Sequence, residues 1–177
     1  MTWQYLKFIL VAPGIVVHEL AHVFFCLLFR VRIHRISLLR YDKVAGFVIH
    51  DEPRRFFPAL FISLGPLIIN SLLAIWLFSL ISQPYSALSI LFLWLGIVLG
   101  LQAIPSTGDA RALFNNAKHN ILRNPLVILF FPVVLVIYLL NILKQVYIHF
   151  IYVIFLLALS PYFNQALEWL ETLIKAN

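Results

Sequence analysis

The 177-residue chain is 63% hydrophobic and only 11% charged, where an ordinary soluble domain carries about a quarter charged residues. With a mean hydropathy of +0.97, this excludes a soluble globular enzyme, a disordered tail and a nucleic-acid-binding domain. Thirteen Lys and Arg against seven Asp and Glu give a net charge of +6, which in so apolar a chain reports orientation in a bilayer rather than a polyanionic partner.

The first apolar run is Phe8 to Phe29. Its length, its internal His18, Glu19 and His22, and the arginines that follow distinguish it from a cleaved signal. Residues 31–51 change pattern. Val31, Ile33, Ile36, Leu38, Val44, Phe47, Val48 and Ile49 favour strands, and Tyr41-Asp42-Lys43 with Gly46 supplies turn residues. A short β-hairpin or sheet at the membrane surface is expected there. Phe57 to Leu80 and Ser86 to Pro105 are uncharged apolar runs.

Leu126 to Phe163 would reach about 55 Å as one helix, against roughly 30 Å of hydrocarbon. Two spans are expected, broken at Asn141, Lys144 and Gln145. From Phe163 to Lys175 apolar residues recur at helical spacing between Glu168, Glu171 and Lys175. That pattern predicts an interfacial helix with Trp169 at headgroup level.

The fold class is therefore an all-α polytopic membrane protein of about five transmembrane helices with a small membrane-associated β-hairpin. Residues 1–177 form one membrane-embedded domain: a core over 8–115, further helices over 126–163 and an interfacial helix over 163–175. The segment from Arg30 to Arg55 is rich in arginine, the segment after the third run holds Arg111, Lys118 and Arg123, and 81–85 holds no charge. The positive-inside rule places loops 30–56 and 106–125 in the cytoplasm, with the N-terminus outside.

His18-Glu19-Leu20-Ala21-His22 is an H-E-x-x-H pattern. Residues four apart share one helix face, so two imidazoles can grip one zinc ion, with the glutamate placed as general base for a water. Ionisable groups inside a span are costly and mark function by default. A catalytic zinc needs a third protein ligand. Asp109, just past Pro105, can reach the motif if residues 104–108 fold back as irregular backbone lining a polar cavity. It can equally cap a helix over 110–116. Asp42, Asp51, Glu52, Glu168 and Glu171 are the other acidic candidates.

With these motifs the chain resembles the site-2 protease family of intramembrane zinc metalloproteases. The resemblance covers roughly residues 8–115. It is carried by His18, Glu19 and His22, by Gly46-Phe47-Val48 as the following strand, by Gly65-Pro66 with Asn70, and by Gln102 to Asp109. Asn70 stands one position beyond the family's usual spacing, Ala110 replaces a usual glycine, and Gln102 stands where asparagine is common.

The resemblance implies a minimal core without PDZ-like or nucleotide-binding appendage. It implies Zn²⁺ on His18, His22 and Asp109, Glu19 as catalytic base, and Asn70, Gly46 and Phe47 as groups for substrate or a developing oxyanion. The substrate would be a transmembrane protein in the lipid bilayer, unwound and added as a strand to the hairpin edge. Asn70 reads equally as interhelical glue, and Gly65-Pro66 as a packing element. Cys26, on the His22 face, reads as a packed thiol or an alternative ligand. His34, His50 and His119 read as surface residues; His149 has no assigned role. Two other readings fit the same motif: a non-catalytic metal-binding membrane scaffold, and a zinc-dependent enzyme acting on a lipid or small molecule.

Overall fold

Helix α1 runs from Trp3 to Leu28 and ends in a tight left-handed cap. Arg30 takes a positive φ of 56°; its N–H donates to the Leu27 carbonyl, and the Val31 N–H reaches back to that of Cys26. This pair of bonds satisfies the last carbonyls and turns the chain into strand β1. The computed structural model describes residues 3–40, 46–81, 86–121, 124–143 and 147–176. The Tyr41-Asp42-Lys43 turn, the uncharged stretch 82–85, Arg123, Lys144 and Gln145 lie outside the described residues.

The expected hairpin is present. Strand β1 (Ile33–Ser37) pairs antiparallel with β2 (Phe47–His50), from Ile33 opposite His50 to Ser37 opposite Phe47. A register irregularity falls between Ile33 and Arg35, at His34, whose Nε2 lies 2.7 Å from Asp51 Oδ1. That bond and the Asp51 N–H to Arg32 carbonyl bond tie the open ends of the two strands together.

Four further helices complete the described chain with α2: α2 (Phe56–Ser79), α3 (Ala87–Leu101), α4 (Thr107–Asn120), α5 (Pro125–Leu143) and α6 (Ile148–Ala176). Helix α2 is central and packs on α1, α3, α4 and α6. Its first turns join α4 and α5 in one apolar cluster around Phe56, Leu60, Leu113 and Val134. Its last turns join α3 and α6 around Phe78, Leu99 and Leu156. Cys26 packs with Phe25 and Ile62 in a third cluster and is fully buried, the packed state of a thiol.

Among the described residues, three helices are long and apolar enough to cross a membrane: Tyr5–Leu28, Phe56–Ser79 and Ile148–Lys175. They expose Leu20, Phe24, Leu27, Leu72, Trp76, Ile151, Ile154 and Phe155, side chains that water would disfavour and lipid accepts. The chain is thus a membrane protein. Two further apolar helices, Ala87–Leu101 and Val127–Leu139, are shorter; at 15 residues, α3 is about 22 Å long, less than the hydrocarbon thickness.

The expected division of the C-terminal apolar run into two helices is present: α5 ends at Leu143 and α6 begins at Ile148. Of the three polar residues read as the break, Asn141 lies within α5 and donates to the Pro105 carbonyl at 2.8 Å, and Lys144 and Gln145 lie outside the described residues. One expectation about this region needs correction. The segment after Pro161 is not a separate helix, because α6 continues through the proline. Proline removes the N–H that would bond the carbonyl four residues back, which here is Leu157. The Ser160 hydroxyl donates to that carbonyl at 2.8 Å, and the helix survives.

Candidate metal centre

Helix α1 is continuous through the H-E-x-x-H segment, so His18 and His22 stand one turn apart on one face. His18 Nδ1 lies 2.7 Å from the Gln102 carbonyl, and His22 Nδ1 lies 2.9 Å from the Ile62 carbonyl. A carbonyl only accepts, so both Nδ1 atoms carry the proton and donate it. A neutral ring then presents a bare lone pair at Nε2, the form that ligates metals. The two Nε2 atoms lie 3.3 Å apart. Two lone pairs facing at that distance repel unless a proton or a cation lies between them.

Both anchoring carbonyls are available for a definite reason. Gln102 is the C-cap of α3, so its carbonyl lies past the last helical turn. Ile62 lies inside α2, where its carbonyl would normally accept from residue 66. Residue 66 is Pro66 and has no N–H. The proline frees the Ile62 carbonyl, and His22 takes it.

Asp109 completes the cluster. Its Oδ2 lies 3.4 Å from His22 Nε2 and 3.9 Å from His18 Nε2. Helix α4 begins at Thr107, not Ala110, and Ser106 is its N-cap. The Ser106 hydroxyl accepts from the Asp109 N–H, and Asp109 Oδ2 accepts from the Ser106 N–H at 2.9 Å, a reciprocal capping box. The oxygen that caps the helix also faces the imidazoles, so the two expected roles of Asp109 are compatible. Burial works against ionisation of this carboxyl. The hydrogen bond from the Ser106 N–H offsets part of that cost.

One ligand atom each from His18, His22 and Asp109 lies within 4.8 Å of the others. These three residues could hold a metal ion. The donor set fits: two imidazoles with fixed tautomers and an ionised carboxylate, each held by a backbone partner. The remaining acids are not part of this group. Asp51 bonds His34, Glu52 is exposed and lines the same cavity as Asp109, Glu171 lies 3.6 Å from Lys175, Glu168 is exposed on α6, and Asp42 lies outside the described residues.

Glu19 is 8% exposed and is covered by the start of β2. A Cβ on Gly46 would stand 2.8 Å from Glu19 Cγ, 3.0 Å from Oε1 and 3.0 Å from the Leu38 carbonyl. Only a glycine lets the strand lie that close to the carboxylate. Phe47 stacks under Arg35, whose guanidinium carbon is 5.6 Å from the ring centroid. Asn70 is fully buried, and its Nδ2 donates to the carbonyls of Gly14 and Leu99, each at 3.3 Å. Both amide protons thus join α1 to α3. Its Oδ1 has no partner among the described residues.

A cavity of about 650 Å³ opens beside the cluster, with Asp109 and Ile62 in its wall. His50 and His119, read from the sequence as surface residues, line it. Sequence reasoning missed the anchoring carbonyls of Gln102 and Ile62, because main-chain acceptors leave no residue signature. Pro66, four residues after Ile62, was the available sign. Comparison with models of known families, with curated proteins and with solved structures found no match.

Proposed function

We propose that the chain is an intramembrane zinc metalloprotease similar to the site-2 proteases, which hydrolyses peptide bonds in or near transmembrane segments of membrane proteins. The observation that carries this reading is the convergence of two imidazole Nε2 atoms and a carboxylate oxygen beside a buried glutamate on a helix long and apolar enough to span a membrane. Tetrahedral zinc with bonds of about 2.0–2.1 Å sets its ligand atoms about 3.3–3.4 Å apart. Two of the three edges, His18–His22 at 3.3 Å and His22–Asp109 at 3.4 Å, agree with that spacing, and His18–Asp109 at 3.9 Å is longer by about half an ångström.

His18, His22 and Asp109 would hold the zinc. A zinc ion bound there supplies a Lewis acid that polarises a carbonyl and acidifies water. Glu19 accepts the proton of the attacking water and returns it to the departing amine. Gly46 and the strand that follows keep bulk water off that carboxylate. An intact base has no use in a purely structural site, which separates this reading from a scaffold. In this arrangement loops 30–56 and 106–125 face the cytoplasm, and the polar cavity opens to that side.

The test is Glu19→Gln, which preserves volume but cannot accept the proton. Zinc content of the purified protein should stay at the wild-type level. Cleavage of single-span substrates in liposomes should fall by about 10²- to 10⁴-fold, the range for a positioned general base. Undiminished cleavage would remove the proposal.

A further inference from the structure

The geometry points to a substrate subsite in the cavity beside the metal cluster, shaped for an extended, polar, uncharged stretch of polypeptide adjoining the cleaved bond. The inference rests on the protease reading and adds what that reading leaves open, namely where the unwound stretch beside the cut lies and which side-chain chemistry suits it.

The cavity starts at the cluster itself. Asp109 lies in its wall, and so does Ile62, whose carbonyl holds His22. From Asp109 it follows one face of α4 along Ala112, Asn115, Asn116 and His119, positions that recur at helical spacing. The opposite wall is the chain between β2 and α2. Asn116 fixes that wall by donating to the Pro53 carbonyl at 2.6 Å, and Asn120 does so by donating to the Arg54 carbonyl at 3.4 Å. The groove is therefore a built feature with a hydrogen-bonded frame.

Size and chemistry select the occupant. An α-helix of about 10 Å diameter would fill the cavity's 650 Å³ in about 8 Å, one and a half turns. An extended chain, about 4.8 by 10 Å in section, would run about 13 Å, or four residues. An extended chain also presents unpaired N–H and C=O groups. Carboxamide and imidazole side chains answer both, as donors and acceptors. An apolar helix would dehydrate the same side chains and return no hydrogen bonds. The charged lining residues are Arg54, Glu52 and, at the cluster end, Asp109; along the rest of the groove the polar residues are neutral amides, imidazoles and Ser63, so hydrogen bonding rather than charge pairing is what most of the wall offers a segment.

The experiment uses the double variant Asn115→Leu/His119→Leu in the full-length protein. Both side chains are exposed on α4, and leucine keeps helix propensity. Two substrates share one transmembrane segment and differ in the flank beside the cut, one rich in Ser, Asn and Gln, the other in Ala and Leu. KM for the polar-flank substrate should rise about tenfold, as for two lost hydrogen bonds, with kcat and zinc content unchanged. KM for the apolar-flank substrate should not move. The isolated polar flank peptide should bind Glu19→Gln protein, by fluorescence anisotropy, and bind about tenfold more weakly when the double variant is added.

Equal peptide binding with and without the double variant would overturn the subsite, as would an equal KM change on both substrates. A cavity serving only water access gives that result. Peptide binding that depends on Asn115 and His119 in a protein that cleaves nothing would instead refute the protease reading and keep the subsite.

Discussion

Pro66→Ala tests the link between a helix defect and the metal site. In the wild type, His22 Nδ1 donates to the Ile62 carbonyl at 2.9 Å, and Pro66 has no N–H to compete for it. Alanine restores that N–H. The Ile62 carbonyl can then rejoin the α2 ladder, and the buried His22 ring loses its partner. Proline inside a soluble helix costs about 3 kcal/mol relative to alanine, and less within a membrane, where neighbouring groups re-satisfy the freed carbonyl.

The variant therefore has opposite effects on helix and site. The α2 ladder gains up to about that amount, less what is lost where the fully buried Pro66 ring leaves a gap. Zinc affinity should fall about 10- to 100-fold, the usual result of removing the group that orients a ligating histidine. Purified protein in detergent, titrated with zinc against a chelator, gives the affinity; ¹⁵N shifts of His22 report its tautomer. Pro132→Ala in α5, an exposed proline that supplies none of the groups bonded to His18, His22 or Asp109, should leave both unchanged. Zinc affinity within twofold of wild type in Pro66→Ala, with the tautomer unmoved, would refute the link. A proline that serves packing alone gives that result.

Gly14→Ala should disturb the other anchor: its Cβ would stand 2.4 Å from the Val98 carbonyl and 2.9 Å from Gln102 Cγ, an overpacking cost of about 1–3 kcal/mol. A lower thermal midpoint with weaker zinc binding is expected, and wild-type values for both would show that α1 and α3 separate without moving Gln102. Asp109→Asn keeps an oxygen for the Ser106 N–H but removes the anionic ligand, so α4 should stay folded by circular dichroism while zinc stoichiometry drops; full zinc occupancy would exclude Asp109 as a ligand. For orientation, Cys26→Ala protein with a single cysteine at Ser37 or Ser82 should label from the cytoplasmic side at Ser37 only. The reverse pattern would invert the topology.

The parts of the site visible in the sequence are those made by side chains at local spacing. His18, Glu19 and His22 fall on one turn, and their placement needs only a helix. The strands around Gly46 were visible in β-branched content. Asp109 was visible as one acid among several, and Ser106-x-x-Asp109 carried its own capping signature; what brings it to the histidines is tertiary. Asn141 read as a break because it is polar in an apolar run, and it instead ties α5 to the Pro105 carbonyl. The stretch from Phe163 read as a helix of its own because charged residues enter the pattern there, whereas α6 continues through Pro161, where the Ser160 hydroxyl supplies a donor for the Leu157 carbonyl.

These misreadings share a physical cause. In a bilayer a polar side chain has no water to turn to, so it goes where the main chain is unsatisfied. Such points arise at helix ends, as at Gln102, and four residues before prolines, as at Ile62 and Leu157. A proline in an apolar run of this chain therefore marks a carbonyl available to a distant donor as much as it marks a break. Pro66 and His22 show how such a carbonyl becomes part of a metal-binding cluster.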